Sequence, residues 1–183
     1  MIAGKARRIP LITPPGDDTR PTTDRIKETL FNILQDELPG SRFLDLFAGS
    51  GGIGIEALSR GADEAVFVET DRNAVRCIRT NLEKTKLSDQ ADVRTTDVIV
   101  ALAALGREGN RFDIIFADPP YRKGWEERLL GVLADSPVAD GETLIILESA
   151  LETELDYIDE SVFEIDRMKD YKSNRHIFIK KRV

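Results

Sequence analysis

A doubly wound α/β domain with a mostly parallel sheet is the fold this sequence predicts, on three observations. Short, near-continuous apolar runs recur along the chain, segments with helical apolar spacing alternate with them, and the first run closes on a glycine-rich turn that opens into a helix. Strands that are apolar on both faces belong to a parallel sheet covered on both sides, because right-handed crossovers place the helices there.

The elements follow in order. Thr22-Thr23-Asp24 offers capping oxygens ahead of Ile26, Leu30, Ile33, Leu34 and Leu38, whose spacing predicts one helix running to Pro39-Gly40. Arg42 to Phe47 reads as a strand, and Ile53, Ile55, Ala57 and Leu58 mark the helix beyond the glycine turn. The pattern repeats with a strand at Ala65 to Val68 and a helix through Val75, Ile78 and Leu82. A strand around Val93, a helix from Val98 to Leu105, a strand from Phe112 to Ala117, a helix near Glu126 to Ala134 and a strand from Thr143 to Leu147 complete it. The end breaks the rhythm: Val162 to Ile165 and His176 to Ile179 are strand-like with only a polar link between them, which predicts an antiparallel hairpin at the sheet's end. Residues 1–20 read as a basic arm or small hairpin outside the main sheet, and residues 21–183 as one domain.

Composition narrows the classes. The chain has 183 residues, 41% apolar and 32% charged, and no apolar run approaches the ~20 residues of a bilayer span. A single cysteine, Cys77, excludes an internal disulfide, and Met1 to Lys5 lacks the order of a signal peptide, so a cytoplasmic location is expected. With His176 the only histidine, a His/Cys zinc site is excluded; no metal is expected, and both residues are assigned structural places. The net charge of -7 divides unevenly: residues 1–27 carry +3, residues 167–183 carry +6, and the middle carries -16. Solvated ends would account for this, as would a basic face assembled from both ends, and the second suits a nucleic-acid partner.

Gly49-Ser50-Gly51-Gly52-Ile53-Gly54 has the G-x-G-x-x-G spacing after a strand and at the start of a helix, where backbone N–H groups can approach a ligand closely. Glu69 ends the second strand 20 residues beyond Gly49, where a carboxylate can accept both ribose hydroxyls of an adenosine-bearing cofactor. Asp45, inside the first strand, suits the cationic amino group of a methionine moiety, or caps the loop through backbone N–H bonds. Asp97 is placed to reach an adenine amino group, or to cap the helix that follows it.

Asp118-Pro119-Pro120-Tyr121 follows the fourth strand. Its prolines stiffen the loop, leaving the Asp118 carboxylate and the Pro119 carbonyl as preset acceptors. An exocyclic amino group donates two hydrogens, and accepting both in fixed geometry favours a pyramidal nitrogen whose lone pair can attack a methyl carbon. Tyr121 can stack on the base. Cys77 lies within a helix away from the strand ends and is no nucleophile here.

Together, Asp45-Leu46-Phe47-Ala48-Gly49-Ser50-Gly51, Glu69 and Asp118-Pro119-Pro120-Tyr121 resemble the class I methyltransferases that act on base amino groups. Arg20 through Asn32, which includes Arg25, and Phe43 through Ala62 closely resemble the RsmD family, the bacterial 16S ribosomal RNA guanine-N2 methyltransferases. The resemblance implies a Rossmann-like seven-stranded sheet with an antiparallel last strand, S-adenosylmethionine as donor, and a guanine of small-subunit ribosomal RNA as acceptor, in the subunit or an assembly intermediate. It places Arg20 to Thr23 near the entrance for cofactor and substrate, with Phe47 and Ser50 beside the cofactor. Phosphate contacts are expected from Lys5, Arg7, Arg8, Arg20 and the basic carboxyl end, and the chain is expected to be a monomer. Three rivals remain. An adenine-N6 or cytosine-N4 DNA methyltransferase shares the loop chemistry but usually carries an added target-recognition region. An NAD-dependent oxidoreductase leaves Asp118 unexplained, and a non-catalytic RNA-binding module needs no cofactor at all.

Overall fold

The computed structural model describes residues 1–15 and 24–182. Its elements run α1 (Asp24–Ile33), β1 (Arg42–Leu46), α2 (Gly52–Ser59), β2 (Glu64–Glu69), α3 (Arg72–Thr85), β3 (Ala91–Thr95), α4 (Val98–Arg107), β4 (Ile114–Ala117), α5 (Trp125–Asp135), β5 (Leu144–Ala150), β6 (Phe163–Asp170) and β7 (Asn174–Lys181), with a short 3-10 turn at Ser88–Gln90. The strands form a seven-stranded sheet in the order β3-β2-β1-β4-β5-β7-β6, the doubly wound α/β fold. The chain divides into two compact units, Met1–Asp97 and Val98–Val183.

In the first unit β1, β2 and β3 are parallel, with Leu44 opposite Val66 and Phe67 opposite Val93. Phe43, Leu44, Leu46, Phe67 and Val68 are fully buried, each side chain contributing roughly 1.5–3 kcal/mol relative to exposure. Helix α3 begins at Asp71, whose carboxylate accepts the N–H groups of Asn73 and Ala74. It ends on Lys86 in the left-handed conformation, with Leu87 N–H returning to Leu82 O and Lys86 N–H to Glu83 O, a Schellman closure.

Helix α1 is shorter than its apolar stripe suggests. It stops at Ile33, and Leu34 and Leu38 are joined instead by a separate turn in which Leu38 N–H donates to Leu34 O. Both leucines are buried, so a single turn satisfies the same four-residue spacing that a continued helix would have used.

Residues 1–15 form turns, with no strand pair among them. The buried Glu56 of α2 accepts the N–H groups of Ile2 and Ala3, and Ser59 Oγ accepts that of Ala6. Farther along, the Asn81 side chain of α3 exchanges two hydrogen bonds with the backbone of Ile12. Buried polar side chains thus bind this segment to two helices.

In the second unit β4 and β5 are parallel, and β7 is antiparallel to both β5 and β6, as the sequence predicts for its end. β5 is buried along all seven residues. The polar link is shorter than expected, Tyr171 to Ser173, because Asn174 and Arg175 already belong to β7; Tyr171 N–H donates to Asn174 O. β6 is longer than its apolar part: Glu164 to Asp170 are all exposed, and its pairing with β7 shifts register between Ile165 and Arg167.

Gly54 in α2 is required by space. A methyl group there would lie 2.4 Å from Phe67 Cε1 and 3.1 Å from an Asp45 carboxylate oxygen. Gly54→Ala should therefore destabilise the chain by roughly 1–3 kcal/mol, an overpacking cost. An unchanged denaturant midpoint would show that α2 is free to move away from β2.

Candidate active site

Two groups of residues stand at the carboxyl ends of strands, one in each unit. In the first unit, the chain leaves β1 through Phe47, which has φ +60, and enters α2 through Gly51, which has φ +81. Left-handed backbone costs on the order of 1 kcal/mol for a residue with a side chain, so Phe47 is held there by its surroundings and Gly51 adopts it without strain. Ala48 N–H donates to Val68 O and Gly51 N–H to Ala48 O, fixing the turn against β2. The carbonyl of Ser50 accepts from the buried Asn81 side chain, a support that nothing in the sequence announced.

Glu69 closes this turn. One carboxylate oxygen accepts Gly49 N–H at 2.8 Å, while the other accepts Thr70 N–H at 2.7 Å and Asp71 N–H at 2.8 Å. The second oxygen also accepts the Thr70 hydroxyl at 3.4 Å, so of the roughly four acceptor positions on a carboxylate the one left for a further donor is on the oxygen that meets Gly49.

Asp45 is 2% exposed and accepts Gly54 N–H at 2.8 Å, so the loop-capping alternative is realised in its geometry. Burial pushes its carboxyl up to about 7, against the Gly54 hydrogen bond, with a smaller upward contribution from the charge of Glu69. Asp97 is half-buried immediately before α4. Among the described residues, a Cβ added at Gly49 would meet nothing within 4 Å, so the turn is open at that position. That opening, with two carboxylates nearby in the chain fold, suits a cofactor carrying cationic groups and ribose hydroxyls.

In the second unit, Asp118 to Tyr121 follow β4 directly. Asp118 is half-buried, Pro119 is buried, and Pro120 and Tyr121 are exposed. The Tyr121 hydroxyl donates at 2.8 Å to Glu148 on β5. Glu148 was missed as a site residue, although its signal was legible: a carboxylate at the end of the apolar run Thr143 to Leu147. It also accepts from Asn174 at 2.7 Å and contacts His176 Nε2 at 3.0 Å. Burial alone would raise the Glu148 carboxyl, but His176, then Tyr121 and Asn174, outweigh it and hold the group below the usual carboxylate range. His176 is fully buried, in keeping with its structural assignment, and Cys77 is a buried free thiol.

The expected phosphate-contacting residues lie on several segments of the chain. Lys5, Arg7 and Arg8 are exposed on the amino-terminal segment, Arg25 is exposed on α1, and Arg20 to Thr23 lie outside the described residues. At the carboxyl end, Arg175 pairs with Asp170 and Arg182 with Glu164, which neutralises part of the positive charge there. Among the described residues no cluster of His, Cys, Asp and Glu could hold a metal, and no helix is long and apolar enough to cross a membrane.

Known proteins resemble this chain over nearly its whole length. A family model described as Conserved hypothetical protein 95 matches residues 1–180. Ribosomal RNA small subunit methyltransferase D of Escherichia coli (strain K12) is 38% identical over 155 residues, covering 85% of this chain and 76% of that protein. The solved Escherichia coli protein yhhF superposes with a TM-score of 0.84 at 34% identity, covering 99% of this chain and 96% of that one. A Thermus thermophilus 16S rRNA N2 methyltransferase, RsmC, solved with AdoMet and guanosine, gives a TM-score of 0.69 at 26% identity, covering 90% of this chain and 45% of that one.

The raised Asp45 carboxyl has a measurable consequence. Unfolded, the group releases its proton near 3.8; folded, it keeps it to about 7. Across that window the native state holds a proton the unfolded state has lost, so stability falls as pH rises, by at most on the order of 4 kcal/mol above pH 7. Asp45→Asn, measured without ligands, should be more stable relative to the parent at pH 8 than at pH 5. A difference in unfolding free energy that is the same at both pH values would place the carboxylate in water.

Proposed function

The chain belongs to the RsmD family of ribosomal RNA methyltransferases, and from that membership we propose that it transfers a methyl group from S-adenosylmethionine to the exocyclic amino group of a guanine in 16S ribosomal RNA. The observation that carries this reading is the Asp118-Pro119-Pro120-Tyr121 loop, set at the end of a buried strand with its tyrosine tied by hydrogen bond to a buried carboxylate. Neither a hydride-transfer enzyme nor a passive RNA-binding module requires it. The substrate in this reading is a small subunit or its assembly intermediate, and the protein acts as a cytoplasmic monomer without a metal.

The residues of the first unit hold the donor. Glu69 would accept the ribose hydroxyls, Asp45, whose one oxygen is taken by Gly54 N–H, would offer its other oxygen to the methionine ammonium, Asp97 would read the adenine amino group, and Phe47, Gly49, Ser50 and Gly51 would give the turn its close approach. When bound, the donor supplies a methyl carbon already activated by a sulfonium, so no covalent nucleophile is needed from the protein.

The second unit holds the acceptor. The Asp118 carboxylate and the Pro119 carbonyl each accept one hydrogen of the base amino group, localising the nitrogen lone pair. Pro120 stiffens the loop and Tyr121 stacks on the base plane. The extra proton of the methylated nitrogen leaves to Asp118 or to solvent. Holding the reactants in line supplies much of the rate, since even a 1 Å misplacement can cost about 100-fold. Lys5, Arg7, Arg8, Arg20, Arg25 and the basic carboxyl end contribute contacts to phosphates.

Labelled methyl transfer onto small subunits that lack the modification, followed by mass spectrometry of the nucleosides, should yield N2-methylguanosine. A methyl group on adenine N6 or cytosine N4 would instead establish one of the DNA-type chemistries. Asp118→Ala should lower turnover by roughly 100-fold or more while donor binding, read by calorimetry, stays within about twofold. RNA affinity should fall steeply between low and moderate salt, and salt-independent binding would remove the phosphate-contact role of the basic residues.

A further inference from the structure

The acceptor loop is tied to a buried polar network that the reaction itself does not call for. β5 is buried throughout, yet it carries Glu148, which is 5% exposed. A carboxylate sealed in a sheet is costly unless it is fully hydrogen-bonded, and this one is met from two directions. Across the antiparallel pair, Glu148 is opposite His176, whose Nε2 lies 3.0 Å from Oε2. Two residues along the same face of β7, Asn174 donates to Oε1 at 2.7 Å. The same Oε1 accepts the Tyr121 hydroxyl at 2.8 Å.

His176 is itself held at its other ring nitrogen, 3.3 Å from the Tyr171 hydroxyl, and the edge of one ring meets the face of the other between His176 and Phe116 of β4. The imidazole therefore has a fixed orientation, and so does the carboxylate. Residues Ala117 and Leu147 are the last paired positions of β4 and β5, so Glu148 stands one step along β5 just as Asp118 stands one step along β4. Tyr121, by contrast, is 39% exposed on a loop whose next residue, Arg122, has φ +60. An exposed ring in such a loop samples several rotamers unless something fixes its far end.

We propose that Glu148, oriented by His176 and Asn174, is a positioning residue that fixes the Tyr121 ring in the acceptor loop for the incoming base. The hydroxyl is the handle: the buried carboxylate accepts it and so sets the direction of the ring. This rests on the methyl-transfer reading above. Glu148 itself touches neither base nor donor; it acts through Tyr121.

The test compares the full chain with Tyr121→Phe, Glu148→Gln and the double variant, in steady-state methyl transfer to unmodified small subunits. Each single variant should lower kcat/KM for the RNA about tenfold, the loss of one charge-assisted hydrogen bond, with donor affinity unchanged. The double variant should be no worse than the poorer single one, because both changes cut the same tie. Multiplying losses, or a Tyr121→Phe enzyme as fast as the parent, would overturn the proposal. Tyr121→Phe removes one surface-reachable oxygen, so it decides the matter even where Glu148→Gln folds poorly. A second measurement needs no substrate: limited trypsin cleavage after the exposed Arg122 and Lys123 should be several-fold faster in both variants at equal global stability. Unchanged cleavage in both would show that the hydrogen bond does not restrain the loop and would equally overturn the proposal. A chain that methylates no RNA while cleavage quickens would sink the methyl-transfer reading and leave the anchor standing.

Discussion

A single buried hydrogen bond, from Gly54 N–H to the Asp45 carboxylate, is the constraint on which the first unit depends. It joins the middle of β1 to the first turn of α2, and it requires a glycine, because Phe67 of β2 occupies the space a side chain would need. The path of the turn follows from it. With strand and helix locked together, the backbone between them must double back, and Phe47 and Gly51 adopt left-handed conformations to do so. Glu69 then bridges from β2 to Gly49, so two acids hold the turn beside its backbone bonds and the Asn81 side chain.

The second unit uses the same physical device. Glu148 is an acid within a buried strand, and its partners come from a neighbouring strand and from the loop that follows β4. In both units a carboxylate excluded from water takes its hydrogen bonds from the segment whose geometry matters. Few acceptor positions and a large penalty for leaving them unfilled make such a group a precise clamp. The two acids differ in consequence. Asp45 has one backbone donor and is pushed toward the protonated form, whereas Glu148 has three side-chain partners and is held ionised.

Much of this was legible in the residues. The alternation of apolar runs and helical stripes located the strands and α-helices, most sharply those buried on both faces, while β3, which has no buried residue, was marked by Val93 alone. The marks failed where burial was one-sided or absent. β6 beyond Ile165 is solvent-covered and reads as loop, and Leu34 with Leu38 mimics a helix that a lone turn replaces. In the site, glycine spacing, Glu69 and the Asp118 loop were readable because each needs a particular residue type at a particular offset. Glu148 alone could be read as a carboxylate ending an apolar run, but its network could not, since Asn174 and His176 are 26 and 28 residues farther along and meet it only through strand register. Asn81, which supports the glycine turn from α3, likewise has no local signature.

One of the two edge strands has a bearing on how the protein behaves in company. β6 runs along the rim of the sheet with Ile165 and Met168 showing to water, a composition that invites a neighbouring molecule to add a strand of its own. Charged residues, Glu164, Asp166, Arg167, Lys169 and Asp170, are interleaved with these two, and the slip in pairing beside Ile165 bends the row of free amide groups. Such a rim is a poor template for edge-to-edge stacking. Colloidal solubility is guarded locally at this border, and replacing its charges with β-branched apolar residues would turn it into a seed for fibrous assembly without disturbing the interior.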